Sequence, residues 1–381
     1  MDFYFKIMFS HVYLKEIEDV FRTPIIQQTA FWSVVKQQLG VKSLAVNIRI
    51  RKSDLDKDAV AHEYIMADML VLLQQVSEHY SIAYVPYGPE LDPGEENRGA
   101  FLEDISEQLL SFLPQGCIMI RYDLVWESFW AGDADCYDAN DRWLGPPAVN
   151  TQEFRFNYGT EFWKLRKAAS NILPSNTIFV DLKDNKEDIL SKMKPKTRYN
   201  IGLSERKGVT VRAAGMVQLP LWYALYAETA ARNGFHLHEM EYFKAVLTAR
   251  ANDTQSPAEV LLLIAEANHV PLAAMFLVIS GDRATYLYGA SSSDHRDCMA
   301  AYALQWKAIE VGKALGCADY DMFGVSPSAD ASHQMYGLYR FKKGFGGEMF
   351  HSLGCWDYPL LPDAYAYYSS VEMRQKGYHL S

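Results

Sequence analysis

The chain has 381 residues, of which 49% are hydrophobic, 13% aromatic and 22% charged. That describes a folded protein of two or three domains and excludes disorder, collagen and mini-protein scaffolds. A net charge of −10 argues against coating nucleic acid over the whole surface. Cys117, Cys136, Cys298, Cys317 and Cys355 are scattered and contain no Cys-x-x-Cys pair, which speaks against a disulfide framework and a zinc knuckle. The longest strongly apolar stretch, Pro271 to Ile279, is far shorter than the ~18 residues of a bilayer span. The opening MDFYFKIMFSHVYLKEIEDV has no small-residue cleavage site, so the chain reads as cytoplasmic.

In chain order, a strand ending Tyr84-Val-Pro-Tyr-Gly88 leads to a helix near Arg98 to Leu113 and then to the strand Gly116-Cys-Ile-Met-Ile-Arg-Tyr-Asp123. Asp141 to Ser175 is loop-like, with Pro146-Pro147, Gly159 and Pro174 around one helical stretch expected near Glu161 to Ala169. A domain boundary is placed near Asn176. Thr177 to Leu182 and Val209 to Ala213 read as strands on either side of a helix that starts at Pro195 and stops at Gly208. Two ordinary helices fill Val209 to Ala249. Glu259 to Glu266, Pro271 to Ser280 and Ala284 to Ala290 form an antiparallel meander, turned by Asn268-His269 and Gly281-Asp282. A helix from about Cys298 to Leu315 and a strand from Ala318 to Phe323 follow, and the last stretch is rich in glycine and aromatics.

The charge is uneven. Between Lys192 and Arg212 seven basic residues face one acid, a net of +6 that leaves −16 on the rest. Such a run is either a solvated helix face or a docking patch for phosphates. The two halves also share an order: strand, Tyr-Gly, helix, Gly-Cys, strand, Tyr-Asp. In the second half this is Tyr286-Leu-Tyr-Gly289, the helix, then Gly316-Cys317-Ala-Asp-Tyr320-Asp321. A period near 200 residues indicates a duplicated domain, and a meander followed by a crossing helix and strand is an α+β layout.

No phosphate loop, dinucleotide fingerprint, zinc-protease helix or hydrolase elbow occurs. His236-x-His238 is at metal spacing but reads better as a loop pair. The glycine loop with which acetyltransferases hold coenzyme A is missing, since Arg340 to Gly346 has one residue too many.

KPKTRYNIGLSERKG, from Lys194 to Gly208, resembles the signature of the Fem (FemABX) family, aminoacyl-tRNA-dependent enzymes that add amino acids to peptidoglycan precursors. Further blocks in family order are Gln27-Gln-Thr-Ala-Phe-Trp-Ser-Val-Val-Lys36, Tyr286-Leu-Tyr-Gly-Ala290 with Leu304-Gln305-Trp306, Tyr320-Asp-Met-Phe-Gly324, and Gly337-Leu-Tyr-Arg-Phe-Lys-Lys-Gly-Phe-Gly346. The resemblance implies two tandem acetyltransferase-like (GNAT-like) domains with mixed central sheets flanked by helices. The first would be residues 1–175 plus about 350–381 and bind the precursor; the second, 176–349, would carry aminoacyl transfer. The C-terminal segment would return to the first domain. The long helical arm of larger members has no counterpart here, so the short form is the closer match.

The implied reaction moves an amino acid from aminoacyl-tRNA to the side-chain amine of a nucleotide- or lipid-linked muramyl peptide. An ester is already activated, so the reaction needs no cofactor or metal. By resemblance, Lys36 contacts the precursor's phosphates, and Tyr242, Tyr288 and His238 line its cleft, with His238 where the family can carry an arginine. Phe341 and Lys342 are catalytic candidates near the RNA acceptor end, Lys342 stabilising the oxyanion or the RNA 3′-terminal phosphates, with Gly344 to Gly347 letting backbone approach the ligand, and Asp123 aligns with a candidate base. The expected RNA surface is Lys194, Lys196, Arg198, Arg206 and Lys207. The rival readings are an acyl-coenzyme A-dependent N-acyltransferase and a non-catalytic binding module.

Overall fold

The computed structural model describes residues 10–55 and 63–374. The opening nine residues, part of the stretch on which the reading of no cleavable leader rests, lie outside them. Contacts divide the chain into two compact units. Unit 1 holds Gln27–Ser175, the chain up to Phe21 and the chain from His351; unit 2 holds Arg22–Ile26 and Asn176–Phe350.

In chain order, unit 1 comprises β1 (Ser10–Lys15), α1 (Ala30–Gln38), β2 (Lys42–Arg51), α2 (Lys52–Leu55), β3 (Tyr64–Gln75), β4 (Ser81–Val85), α3 (Arg98–Leu109), β5 (Cys117–Glu127), α4 (Val149–Asn157) and β6 (Arg166–Lys167). Unit 2 follows with β7 (Asn176–Asp181), α5 (Lys186–Lys192), α6 (Pro195–Arg206), β8 (Thr210–Ala214), α7 (Leu219–Asn233), α8 (Met240–Thr248), β9 (Ala258–Ala267), β10 (Val270–Ser280), β11 (Arg283–Ser291), α9 (Ala300–Ala314), β12 (Asp319–Asp321) and α10 (Tyr336–Lys342). The chain then enters β13 (Glu348–Pro359), most of which belongs to unit 1, and ends its described part with α11 (Pro362–Glu372).

The sheet of unit 1 runs β1-β2-β3-β4-β5-β13, and that of unit 2 runs β8-β9-β10-β11-β12-β7. In both, the fourth and fifth strands are parallel and every other pair is antiparallel. A helix joins each parallel pair, α3 in unit 1 and α9 in unit 2, because parallel neighbours need a crossover. The expected α+β duplication and the return of the C-terminal segment to the first domain are thus both present.

Local chemistry explains most boundaries. Thr29 Oγ1 accepts the Trp32 amide at 3.1 Å and caps α1, which then buries Phe31, Trp32 and Val35. Asn268 and His269 both have positive φ (49° and 65°), the conformation that a tight β9–β10 hairpin needs. Gly99 opens α3 against α4, where a Cβ would lie 1.8 Å from the Phe156 carbonyl oxygen, so no other residue fits.

One expectation fails. The helix of the loop-like region is Val149–Asn157, whereas Arg166–Lys167 inside the expected Glu161–Ala169 stretch is strand. Trp163 takes φ 55° and Asn157 holds the Leu165 amide and carbonyl through its side chain, which keeps that segment extended. The glycine- and aromatic-rich tail contains the long strand β13. It pairs on β5 from Ser352 to Pro359, with a register shift between Ser352 and Gly354.

Candidate active site

The two units place a tyrosine and an aspartate at the same point, the fifth strand. The Tyr122 hydroxyl bonds Ser106 of α3 at 2.8 Å, and the Tyr320 hydroxyl donates to Gln305 of α9 at 2.6 Å. Both tyrosines are fully buried. The aspartates that follow differ. Asp123 accepts the Tyr84 hydroxyl at 3.1 Å and the Leu173 amide at 2.8 Å. Asp321 accepts the Thr177 hydroxyl at 2.5 Å and the Phe323 amide at 2.8 Å. Burial pushes the Asp123 carboxyl up to about 6, against the Leu173 amide, the Cys355 thiol, the Tyr84 hydroxyl and the Lys167 ammonium. Burial also raises Asp321, opposed by Thr177, Arg283 and Lys342 among others.

In unit 2 the parallel pair is short. β11 and β12 share only Arg283↔Asp319, Ala284↔Tyr320 and Thr285↔Asp321. Beyond Thr285, β11 continues to Ser291 with β10 as its one strand neighbour among the described residues. Just past β12, the carbonyls of Met322, Phe323 and Gly324 converge on the Lys342 ammonium at 2.5, 3.2 and 2.9 Å. Phe323 sits at φ 59° to allow this. Lys342 is buried, and its Nζ lies 4.9 Å from the centre of the Tyr286 ring. Burial pulls its pKa down to about 7, with Asp321 working the other way. Three carbonyl acceptors match the three protons of an ammonium, whereas a neutral amine could serve only two.

Lys342 is therefore an internal anchor with all its donors engaged. Its neighbour Lys343 is partly exposed and donates to the Gly347 carbonyl at 2.8 Å. Phe341 packs edge-on to Tyr302 of α9, with centroids 5.0 Å apart. The expectation that Gly344 to Gly347 opens backbone to a ligand is overturned. A Cβ at Gly344, Gly346 or Gly347 would lie 2.4 Å from Thr197 Oγ1, 2.5 Å from the Lys192 carbonyl or 2.5 Å from the Phe179 carbonyl. Those glycines accommodate the protein's own chain.

Tyr242 and Tyr288 share a 2.7 Å hydroxyl–hydroxyl hydrogen bond, and His238 stacks on Tyr242 with centroids 4.8 Å apart. This group lies on the α7/α8 side of the unit 2 sheet. Tyr288 pairs with Phe276, which packs on Trp222 of α7 and Phe243 of α8. Tyr286 pairs with Leu277, which belongs to the core under α9. Strand alternation would put residues 286 and 288 on one face, but a register shift that leaves Leu287 unmatched turns them to opposite faces. Gly289 then makes room for Tyr286, since a Cβ there would lie 1.6 Å from its hydroxyl. Tyr286, Gln305 and Thr177 were absent from the expected site; the repeated Tyr-Asp pair was the signal pointing to their neighbourhood.

In unit 1, Lys36 occupies the last turn of α1 with its ammonium 5.1 Å from the Trp32 ring. Burial lowers its pKa to about 8. Asp123 is enclosed, with no solvent-accessible surface.

The residues of the basic helix divide into two groups. Arg198 Nη1 donates to the Ser191 carbonyl at 3.1 Å and to the Met193 carbonyl, closing the end of α5. Lys207 pairs with Asp297 at 3.0 Å. Lys194, Lys196 and Arg206 make no ion pair among the described residues. The described residues contain no cluster fit to hold a metal ion and no helix long and apolar enough to cross a membrane.

Comparison with known proteins agrees with this architecture. The solved structure "Crystal structure of FemX" superimposes with a TM-score of 0.67 over 93% of this chain and 96% of that one, at 17% identity, a likeness of fold. Lipid II:glycine glycyltransferase of Staphylococcus haemolyticus is 31% identical over 113 residues, 30% of this chain and 27% of the relative. The protein of the same name from Staphylococcus aureus (strain USA300) is 22% identical over 267 residues, 53% of this chain and 63% of the relative. The chain thus spans less than two thirds of the length of these curated relatives. The sequence pattern of the FemAB family matches residues 156–255 and 250–373, more than half of the chain. The chain belongs to the FemAB family.

Proposed function

We propose that this protein transfers an aminoacyl group from aminoacyl-tRNA to the side-chain amine of a lipid-linked muramyl peptide. The observation that carries the reading is the open end of the parallel pair in unit 2, in a FemAB family chain whose named relatives are lipid II:glycine glycyltransferases. Ester aminolysis requires two substrates in line and hydrogen-bond donors aimed at the carbonyl oxygen as charge develops. Past Thr285, β11 offers backbone N–H groups toward the side that β12 has left, and the Leu287 irregularity re-aims them.

Lys342 is then a positioning residue: it fixes the Met322–Gly324 segment that forms the other wall of this opening. Phe341 keeps α10 seated on α9. On the opposite face of the unit 2 sheet, Tyr242, Tyr288 and His238 present a hydroxyl pair on an aromatic floor suited to sugar or peptide. The Lys36 ammonium serves the acceptor's phosphates, and Lys194, Lys196 and Arg206 serve those of the RNA. Asp123, sealed in its core, supports Tyr84 and the Leu173 segment and does not take the amine's proton.

The test supplies labelled aminoacyl-tRNA or labelled acetyl-coenzyme A as donor, and lipid-linked or nucleotide-linked muramyl pentapeptide as acceptor. Label passing from the RNA to the lipid-linked peptide is expected. Transfer from coenzyme A instead would replace this reading with the N-acyltransferase one, and no transfer from either donor would leave a binding module.

A further inference from the structure

One face of α6 is not accounted for by phosphate contacts. Thr197, Asn200, Ile201 and Ser204 are its buried residues, so at 3.6 residues per turn the middle of its outward face falls on Tyr199, Gly202 and Arg206. Tyr199 is 61% exposed, and the Arg206 guanidinium lies 5.6 Å from the centre of its ring. Glycine is unfavourable inside an exposed helix. Here a Cβ at position 202 would stand 3.3 Å from Arg206 Nη1, so the bare position lets the guanidinium fold back along the helix toward the ring. The result is an exposed ring with a guanidinium over it, on a surface that also carries Lys194 and Lys196, which make no ion pair among the described residues.

We propose that Tyr199 and Arg206, laid over Gly202, form a stacking platform for one unpaired nucleobase. The inference rests on the reading of α6 as the transfer RNA surface. Aromatic rings and guanidinium planes are the groups on which splayed-out bases stack, whereas a duplex keeps its bases stacked on each other. The platform therefore addresses a single-stranded part of the RNA, and the lysines beside it hold the backbone. Because the tyrosine is uncharged, its contribution is separable from that of the phosphate contacts.

Fluorescence anisotropy on the full chain, with uncharged transfer RNA and with a blunt-ended duplex RNA at several salt concentrations, tests this. Tyr199→Ala should weaken transfer RNA binding about tenfold, within the effect of losing one stacked base. It should leave duplex binding and the salt slope unchanged. Tyr199→Phe should bind as the parent does. Gly202→Ala should raise thermal stability, because alanine is the better helix former, and should weaken transfer RNA binding less than twofold, because a Cβ 3.3 Å from Arg206 Nη1 asks the guanidinium to shift by only a few tenths of an ångström. Unchanged affinity in Tyr199→Ala, or an equal loss on the duplex, would overturn the platform alone. A parent protein that binds neither RNA would overturn the reading of α6 as an RNA surface as well.

Discussion

The two units share strand order, strand direction and the buried tyrosine of the fifth strand, yet they treat the end of the parallel pair in opposite ways. In unit 1, β4 stops at Val85, opposite Tyr122, and the position beyond is closed by Tyr84 and the Leu173 amide on Asp123. In unit 2, β11 runs on to Ser291 after its last pairing with β12, and Lys342 pins the departing segment by three carbonyls. The sixth strand also differs in origin. Unit 2 takes β7 from before its meander, whereas unit 1 takes β13 from the far end of the chain. One plan, duplicated, has thus been sealed in one copy and left open in the other, and the proposed chemistry belongs to the open copy.

The contrast is broken most severely at Lys342. Lys342→Met leaves three buried carbonyls without donors, at about 1–3 kcal/mol for each group not otherwise satisfied. We expect a stability loss of about 3 kcal/mol by chemical denaturation and a 10²–10³-fold lower turnover, of the order seen when one preorganised element of an oxyanion site is lost. Lys343→Met, which removes a partly exposed contact to the Gly347 carbonyl and a 4.0 Å ion pair with the exposed Glu348, should change turnover less than threefold. Comparable losses for the two lysines would reduce α10 to a general basic segment.

The sealed copy is probed through Asp123. Its carboxyl is raised from 3.8 to about 6, so the folded protein binds a proton that the unfolded chain releases between those values. The contribution of Asp123 to stability should then be fully present below pH 4, fall away as pH rises to 6 and stay level above, a change of about 2–3 kcal/mol. Asp123→Asn lacks the titration, so the difference between it and the parent should change by that amount between pH 4 and 7.5. A difference that is flat with pH would show the carboxyl to be ionised throughout.

Lys36 gives a smaller effect on the acceptor side. An ammonium depressed to about 8 by burial is charged below that pH and neutral above it. The Michaelis constant for the muramyl peptide should rise as pH passes 8, and Lys36→Ala should raise it roughly tenfold at pH 7 with turnover nearly unchanged, as expected for uniform binding. An equal fall in turnover would move Lys36 away from a remote phosphate.

The smallest prediction sharpens the symmetry. Tyr122→Phe and Tyr320→Phe each delete one buried hydroxyl bond to the crossover helix, so each should cost about 1 kcal/mol. Unequal costs would show that the shared tyrosine has diverged with the sites.

Much of this duplication can be read in the residues themselves. Asn268-His269 and Gly281 mark the hairpins, Pro195 and Gly208 bracket the basic helix, and the repeated Tyr-Asp pairs fall on matching strands. What local pattern cannot express is the rest. Strand alternation puts Tyr286 and Tyr288 together, and one unmatched residue in the β10–β11 ladder separates them. Nothing local in Lys342 followed by Lys-Gly-Phe-Gly-Gly marks the lysine as buried, but three carbonyls eighteen to twenty residues upstream draw it inside. The choice of sixth strand in each unit depends on pairings between segments far apart in sequence, which no local periodicity records.

The claim that the open unit carries the transfer is tested most directly by single-turnover kinetics. Labelled aminoacyl-tRNA is mixed with excess protein and saturating lipid-linked muramyl peptide, and label in the peptide is followed for the parent, Lys342→Met and Asp123→Asn. The account predicts transfer by the parent, a rate lowered at least 10²-fold in Lys342→Met, and a rate within a few-fold of the parent in Asp123→Asn. A rate that collapses in Asp123→Asn and survives in Lys342→Met would place the chemistry in the sealed unit and contradict it.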